Sequence, residues 1–250
     1  DCIQMSSSLK IGIAGLGTVG SGLVRLIVEH EKELGLRAGR KIEISRISAR
    51  DRNANRGFDI SPYGWYDDPL ELVFDEDIDV VVELIGGSDG ISKDLIFAAL
   101  KNGKHVVTAN KALIAHHGKA ISHAAEAAGV SFSYEAAVAG GIPIIKSLRE
   151  GLAGNKLSRI YGILNGTCNY ILTAMSEQGR EFEDILAECQ KLGYAEANPG
   201  FDIDGIDTAH KLAILASVAF GGEVNFEAVH VEGIRHISTM DMQFAEELGF

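Results

Sequence analysis

A glycine-rich loop near the N-terminus constrains the fold more than any other feature of the sequence. The stretch "GIAGLGTVGSG" spaces Gly15, Gly17 and Gly20 as G-x-G-x-x-G, directly after an apolar run and before an amphipathic helical pattern. The first glycine permits a tight turn, the second lets a pyrophosphate approach the backbone, and the third lets helix and strand pack closely. The N–H groups at the helix start, including those of Thr18 and Val19, would then face that pyrophosphate. The loop therefore predicts a dinucleotide site, in preference to a merely structural turn.

The chain that follows the loop alternates short apolar runs with helical segments as far as Gly141. We predict strands in "KIGIAG", "KIEISRIS", "DVVVELIG", "HVVTAN" and "VSFSYEAAV", and helices in "SGLVRLIVEHEKEL", "SKDLIFAALKNG" and "GKAISHAAEAAG". Runs that are apolar on successive positions fit strands that helices cover on both faces. The pattern predicts an α/β protein in which residues 5–141 form a Rossmann-like domain with a mostly parallel sheet. We expect the native chain to start at Met5.

The alternation of apolar runs and helical segments ends at "GGIP", and we predict a second domain at residues 142–250. We predict a helix around "IIKSLREGL", a strand in "RIYGILNG" and mostly helices from there onward. This mixture is typical of an α+β domain, and we place the domain boundary near Gly141.

Charge and cysteine content exclude several classes of partner. The net charge of −12, from 23 basic and 35 acidic side chains, argues against nucleic acid and against an anionic membrane surface. Cys2, Cys168 and Cys189 have neither CxxC nor zinc-ligand spacing, so we expect no disulfide framework and no metal cage. The N-terminus lacks a signal-peptide layout, and no apolar run reaches the roughly 18 residues of a membrane span. We expect a cytoplasmic protein.

The end of the second predicted strand bears on the choice of dinucleotide. The sequence "SARDRNANR" places Arg50 at the expected position and Asp51 directly after it. An acidic residue there binds the ribose hydroxyls of NAD, whereas an arginine accommodates the 2′-phosphate of NADP. The sequence favours NADP(H) and leaves NAD(H) possible. The alternative is that Arg50 is a solvated residue at a strand end.

A second candidate for cofactor binding follows the strand "HVVTAN". Asn110 and Lys111 come just past its carboxyl end, where open α/β sheets bind ligands. A cation at that place can meet the nicotinamide end of the cofactor or an oxygen of the substrate. The alternative is an ordinary lysine in a surface loop.

Asp207 and Lys211 lie one helical turn apart, and Ile214 and Val218 continue the same face. Because the stripe turns apolar after one turn, we predict that the pair lies at the mouth of a core, where the lysine can donate or accept a proton. The alternative is a simple salt bridge. His210 lies on another face of the helix, and we predict that it is partly exposed.

The chain resembles homoserine dehydrogenase in several stretches that follow that family's order. They are "GLGTVGSG", "VVELIGG", "VVTANKALIA", "YEAAVAGGIPII", "GILNGTCNYIL" and "GYAEANPGFDIDGIDTAHK", and they extend from residue 11 to about residue 220. The resemblance implies NAD(P)-dependent interconversion of L-homoserine and L-aspartate 4-semialdehyde. This reaction belongs to the biosynthesis of threonine, methionine and isoleucine. The resemblance also implies a homodimer or a higher homo-oligomer.

The resemblance assigns roles to the charged residues of the second predicted domain. In the family, the lysine that matches Lys211 transfers the proton to or from the substrate oxygen. The residues that match Glu196 and Asp207 bind homoserine, with Asp202 nearby. The interior is thus expected to hold a zwitterionic amino acid.

The resemblance also implies cofactor and cation contacts. The residue that matches Lys111 lies between nicotinamide and substrate, and Gly193 lies against the cofactor. The family binds a monovalent cation, usually sodium, through backbone oxygens, a type of ligand that suits hard cations. The matching residues here are Glu135, Val138, Gly140 and Ile142.

Members of this family extend well beyond 250 residues, with a C-terminal portion that completes the substrate domain and often a regulatory ACT domain. We therefore expect residues 142–250 to be an incomplete domain for substrate binding, catalysis and dimerisation. Two alternatives stay open. One is an acylating semialdehyde dehydrogenase that uses Cys168 as its nucleophile, and the other is a cofactor-binding fragment without turnover.

Overall fold

The protein is represented by a computed structural model that describes residues 7–250, so the expected start at Met5 lies outside the described residues. The chain divides into two compact units, the first ending at Gly151 and the second beginning at Leu152. The functional boundary near Gly141 stays a prediction. Among the described residues, no helix combines the length and apolar character needed to cross a membrane.

The first unit is built on one six-stranded sheet. Its strands are β1 (Leu9–Ala14), β2 (Ile42–Ser48), β3 (Gly64–Tyr66), β4 (Val80–Glu83), β5 (His105–Thr108) and β6 (Phe132–Ser133). They lie in the order β3-β2-β1-β4-β5-β6, and every neighbouring pair is parallel. The order reverses between β1 and β4, and such a switch point opens a ligand crevice at the carboxyl ends of the strands. The predicted Rossmann-like fold is confirmed.

Helices cover the sheet of the first unit. They are α1 (Thr18–Glu29), α2 (Glu31–Ala38), α3 (Glu71–Phe74), α4 (Ile91–Lys101), α5 (Lys111–Ala128) and α6 (Ile144–Lys146), and α6 continues as a π-helical turn, Ser147–Gly151. Side chains alternate between two hydrophobic clusters along β4: Val81 packs in the cluster that contains Leu95, whereas Val80 and Val82 pack in the cluster that contains Val24. Burial on both faces explains why these strands appear as continuous apolar runs.

Two strands of the first unit differ from expectation. The edge strand β3 was not predicted, because three residues beside Gly64 make too short a run to signal a strand. The last predicted strand, "VSFSYEAAV", contains only Phe132–Ser133 as strand, and Glu135–Ala137 forms a 3₁₀ turn.

The regular secondary structure described in the second unit consists of helices, joined by irregular segments. Its helices are α7 (Gly166–Gln178), α8 (Phe182–Leu192), α9 (Gly200–Ile203), α10 (Ile206–Phe220) and α11 (Thr239–Glu247). Ile171, Ile185 and Ile203 are fully buried in one cluster between α7, α8 and α9. The strand predicted in "RIYGILNG" is wrong: the segment is irregular, and Tyr161 and Ile163 are 87% and 77% exposed. An extended segment becomes a strand only where a neighbouring strand accepts its hydrogen bonds.

Candidate functional site

A cleft of about 690 Å³ opens at the carboxyl ends of β1 and β2 in the first unit. The glycine loop forms one wall, and the end of β2 and the loop after β4 form the others. The lining includes Gly15, Gly17, Arg50, Arg56 and Gly86. This is the crevice expected at the switch point of the sheet, and it is large enough for part of a dinucleotide.

The three glycines of the loop meet different steric demands. Gly15 has a φ of +98°, and a Cβ atom there would lie 2.5 Å from the carbonyl oxygen of Leu84. A Cβ atom on Gly20 would lie 2.0 Å from the carbonyl oxygen of Gly15, so helix α1 could not pack against the loop. Around Gly17, by contrast, no atom of the described chain beyond its immediate neighbours in sequence lies within 4 Å of such a position. Its backbone is thus accessible from the cleft, as a pyrophosphate contact requires.

Helix α1 begins at Thr18, so the N–H groups of Thr18 and Val19 belong to its first turn. The earliest bond of the helix in this region runs from the Ser21 N–H to the Gly17 carbonyl oxygen (2.9 Å). The N–H groups before Ser21 have no intrahelical acceptor, as in every helix N-terminus. The side chains of Thr18 and Val19 are exposed. The N–H groups of the first turn and the positive end of the helix dipole make the start of α1 suitable for binding a phosphate.

Two arginines border the cleft at the end of β2. Arg50 is exposed, and Arg56 reaches the same cleft from the following loop. The Arg56 guanidinium donates to the backbone carbonyl oxygens of Asp51 and Ala54. The carboxylate of Asp51 accepts the backbone N–H of Asn53 at 2.8 Å, which fixes a local turn. The charged residues that line the cleft are Arg50, Asp51, Arg56 and Asp67, so positive and negative charges balance there although the whole chain is acidic.

Glu83 is a buried charged residue that the sequence reasoning missed. It ends β4 and is 0% exposed. Its Oε1 accepts the backbone N–H groups of Ile85 (2.8 Å) and Gly86 (2.9 Å), and its Oε2 accepts the Thr108 hydroxyl at 2.6 Å. The carboxylate thus fixes the cleft loop after β4 and ties it to β5. A lone charge inside the apolar run "DVVVELIG" was the available signal.

Asn110 and Lys111 follow β5 at its carboxyl end, as the sequence predicted. The Asn110 side chain caps α5 by accepting the Leu113 N–H (3.1 Å), and its amide donates to the Gly87 carbonyl oxygen (2.8 Å). Lys111 is the first residue of α5 and is half-buried. Asn110 therefore holds the loops after β4 and β5 together, and Lys111 follows directly after this contact.

In the second unit, Asp207 and Lys211 form an ion pair within α10. The distance from Lys211 Nζ to Asp207 Oδ2 is 2.6 Å, and Nζ also donates to the Leu164 carbonyl oxygen at 2.7 Å. The side chains of Asp207 and Lys211 are 5% and 19% exposed. The pair thus lies at the edge of the helical core, as its sequence spacing predicted, and the lysine end is the more accessible one.

Asn165 joins this pair to Asp202. Its Nδ2 donates to Asp202 Oδ1 (2.8 Å) and to Asp207 Oδ2 (2.9 Å), and its Oδ1 accepts the Cys168 N–H (2.9 Å) as the N-cap of α7. We call Asn165, Asp202, Asp207 and Lys211 the charged cluster. Sequence reasoning missed Asn165. An asparagine before a helical pattern signals a cap, but the capping signal does not reveal the two carboxylates.

The sequence also predicted Glu196 and Gly193 as site residues of this unit. Within residues 152–250, the hydrogen bonds of the charged cluster do not include either of them. The Glu196 side chain is exposed on the loop after α8, and its backbone carbonyl accepts the Gln190 side chain at 3.1 Å. Gly193 caps α8 in the left-handed conformation, with φ +77°. Their proposed contacts with substrate and cofactor stay predictions.

Cys168 and His210 flank the charged cluster. Burial raises the pKa of the Cys168 thiol to about 11, and the carboxylates of Asp202 and Asp207 add to the shift. Its Sγ donates to the Asp202 backbone oxygen at 3.3 Å. These surroundings disfavour the thiolate that a nucleophile requires. The prediction that His210 is partly exposed is wrong: it is 3% exposed, because the ring of Phe226 packs edge-on against it.

The residues predicted to bind a monovalent cation lie on one turn of the first unit. Both carboxylate oxygens of Glu135 accept backbone N–H groups at the start of α6, from Ile145 and Lys146 (2.9 Å each). Ala139 has a φ of +53°, which is uncommon for a residue other than glycine. The turn contains Glu135, Val138, Gly140 and Ile142. A sharply turned backbone of this kind can direct several carbonyl oxygens toward one point.

Two sequence-family models match the chain, one over each part. The model described as "Homoserine dehydrogenase, NAD binding domain" matches residues 15–135, and the model described as "Homoserine dehydrogenase" matches residues 143–250. The homoserine dehydrogenase of Pseudomonas aeruginosa is 50% identical over 242 residues. That match covers 97% of this chain and 55% of the relative, so the chain spans about half the length of such curated relatives.

Solved structures agree with this result. The homoserine dehydrogenase of Thiobacillus denitrificans superposes with a TM-score of 0.92 and 47% identity, covering 98% of this chain and 57% of the other. A homoserine dehydrogenase of a hyperthermophilic archaeon, solved in complex with NADPH, has a TM-score of 0.78 and 28% identity. That match covers 93% of this chain and 76% of the other.

Proposed function

Since the chain belongs to the homoserine dehydrogenase family, we propose that it contributes the cofactor and substrate machinery for interconverting L-homoserine and L-aspartate 4-semialdehyde. The observation that carries this proposal is the charged cluster, in which a lysine and two carboxylates meet at the edge of a core. A bound nicotinamide cofactor supplies the hydride chemistry. The protein must bind and orient the amino acid and handle one proton.

The carboxylates of the charged cluster suit the ammonium group of the substrate. Asp202 and Asp207 carry two negative charges against the single positive charge of Lys211, so the cluster keeps one net negative charge. An ammonium group compensates that charge and offers three N–H donors. We assign Asp202 and Asp207 to substrate binding, together with Glu196 on the neighbouring loop.

Lys211 is our candidate for the proton-transferring group. Its ammonium group is held by Asp207 and by the Leu164 carbonyl oxygen, both within 2.7 Å, so its position is fixed before a substrate arrives. When the aldehyde is reduced, the ammonium donates a proton to the oxygen that becomes the hydroxyl. When the alcohol is oxidised, the neutral amine accepts that proton. Lys111, at the start of α5, is the second candidate cation for the substrate oxygen.

The cleft of the first unit supports a preference for NADP(H), with NAD(H) as the alternative. Arg50 and Arg56 border it at the place where a 2′-phosphate is recognised. Arginine binds phosphate oxygens through charge-assisted hydrogen bonds. Gly15, Gly17 and Gly20 would cradle the pyrophosphate, with the N–H groups of the first turn of α1.

A structural sodium ion is part of the same proposal. The turn from Glu135 to Ile142 offers backbone oxygens, which are hard ligands that suit such a cation. The strained, positive φ of Ala139 supports a functional role for this turn, which we propose is cation binding. The homo-oligomeric state and the cytoplasmic location stay predictions of the sequence.

Homoserine-dependent reduction of NADP⁺, followed by the absorbance of the reduced nicotinamide, tests the proposal. The assay compares this chain with a version extended to the length of its relatives. We expect turnover with homoserine, without added phosphate or coenzyme A. A requirement for either would favour the acylating alternative. Cofactor binding without turnover in the short form alone would identify it as a fragment, and inactivity of both forms would refute the proposed reaction.

A further inference from the structure

The substrate binding and proton transfer proposed for the charged cluster do not by themselves explain why Asn165 is part of it. It is 8% exposed and ends the irregular segment before α7. One side-chain nitrogen donates to two carboxylates, at 2.8 Å to Asp202 and 2.9 Å to Asp207. These aspartates lie 37 and 42 residues further along the chain. A single neutral group therefore connects two anions from different helices.

The helix cap decides which end of the amide faces the carboxylates. The Oδ1 of Asn165 accepts the Cys168 N–H at 2.9 Å, as an N-cap acceptor should. The amide nitrogen must then point away from α7, toward Asp202 and Asp207. Both N–H donors are used on carboxylate oxygens, and the amide orientation is fixed at both ends.

A neutral donor suits this place better than a cation would. Two carboxylates that share one nitrogen repel each other, and a second lysine or arginine would hold them together by cancelling their charge. An amide provides the two hydrogen bonds and leaves the charge unchanged. Asp202 and Asp207 thus stay close together, and the cluster keeps its one net negative charge for a cationic group.

From this geometry, and on the basis of the proposed function, we propose that Asn165 is a positioning residue for the substrate's ammonium group. It sets the spacing of the Asp202 and Asp207 carboxylates, and it fixes the Asp207 oxygen that also accepts the Lys211 ammonium. Asn165 acts through these carboxylates, and it transfers no proton itself.

The first test measures the energetic coupling between Asn165 and Asp202 without any substrate. Asn165→Ser keeps an N-cap acceptor for α7, because serine caps helices about as well as asparagine, but it removes both amide donors. A double-mutant cycle with Asp202→Ala compares thermal midpoints. We expect Asn165→Ser to lower the midpoint by several degrees in the parent and by clearly less in the Asp202→Ala background. Equal shifts in both backgrounds would overturn the proposal, whatever the protein catalyses.

The second test uses kinetics in the longest active form of the chain. We expect Asn165→Ser to raise KM for homoserine about tenfold while KM for NADP⁺ stays within twofold of the parent. Asn225→Ser is the matched control, because Asn225 is the exposed N-cap of the short 3₁₀ turn Phe226–Ala228, and its Oδ1 accepts the Ala228 N–H at 3.2 Å. The control should leave both constants unchanged.

The outcomes separate this inference from the proposed function. A parent protein without homoserine turnover would refute the proposed function, while coupling in the double-mutant cycle would still show the Asn165 connection. An active parent in which Asn165→Ser leaves KM for homoserine unchanged would refute the positioning role alone. An equal rise of KM for homoserine and NADP⁺ would also refute it, because that result indicates general loss of structure.

Discussion

Replacement of Lys211 by alanine should separate a proton-transferring lysine from a structural one. The side chain makes two charge-assisted hydrogen bonds, to Asp207 (2.6 Å) and to the Leu164 carbonyl oxygen (2.7 Å). Such bonds contribute about 1.5–3 kcal/mol each. Asn165 still donates to Asp207 in the variant, so its carboxylate keeps one partner. We therefore expect Lys211→Ala to lower the free energy of unfolding by about 3 kcal/mol.

Lys211→Ala should also slow the chemical step. A positioned general acid contributes at least about 10² in rate, so kcat should fall by about that factor or more in an active form of the chain. KM for NADP⁺ should stay near the parent value, because the glycine loop and Arg50 are untouched. Asp207→Asn should instead raise KM for homoserine, since the ammonium group loses a carboxylate.

Lys211→Arg distinguishes charge from proton transfer. Arginine keeps the positive charge beside Asp207 but does not deprotonate in proteins, so stability should largely return while kcat stays low. Lys156→Ala, at an exposed lysine of the same unit, is the control for loss of a surface charge. The assay is steady-state kinetics together with chemical denaturation. A folded Lys211→Ala protein with near-parental kcat would falsify the catalytic role and leave only the salt bridge.

Three further predictions follow from other parts of the molecule. Arg50→Ala should weaken NADPH binding about tenfold or more and NADH binding little, measured by fluorescence titration, because only NADPH loses a charge-assisted contact; equal losses would contradict the assignment. Cys168→Ser should leave turnover within a few-fold. Because the pKa of the Cys168 thiol is raised to about 11, alkylation of Cys168 should be slow at neutral pH and should accelerate as the pH approaches that value. Glu83→Gln should cost about 2 kcal/mol of stability, since the charge that accepts two N–H groups is lost; the exposed Glu71→Gln control should cost almost nothing, and a similar loss in both would refute this reading of Glu83.

The sheet of the first unit could be predicted because its strands are buried on both faces. Val80, Val81 and Val82 point alternately to the two clusters, so the run is apolar at every position. The glycine loop was equally informative, since Gly15 and Gly20 each avoid a steric clash and Gly17 leaves its backbone accessible to a ligand. Strand β3 gave no such signal, because it has only three residues at an edge of the sheet. "RIYGILNG" has strand-like residues, but a sequence segment does not specify the partner that a strand needs.

The same distinction holds for the site residues. Asp207 and Lys211 are one helical turn apart, so their spacing was enough to predict their contact. The hydrogen bonds of Asn165 to Asp202 and Asp207, and the one between Thr108 and Glu83, join residues more than twenty positions apart. No local pattern encodes these bonds. His210 was misjudged for the same reason: its burial depends on Phe226, which belongs to the next segment of the chain.

The strand order of the sheet has a consequence for synthesis on the ribosome. β1 is made first, yet it occupies the centre of the sheet, between β2 and β4. As the chain emerges, β1 can pair with β2 early, but its other edge has no partner until Val80–Glu83 has been made. At about 5–20 residues per second, that interval lasts several seconds. An apolar, half-paired strand is prone to aggregate. The nascent chain is therefore most exposed to misfolding while the segment between β2 and β4 is being translated.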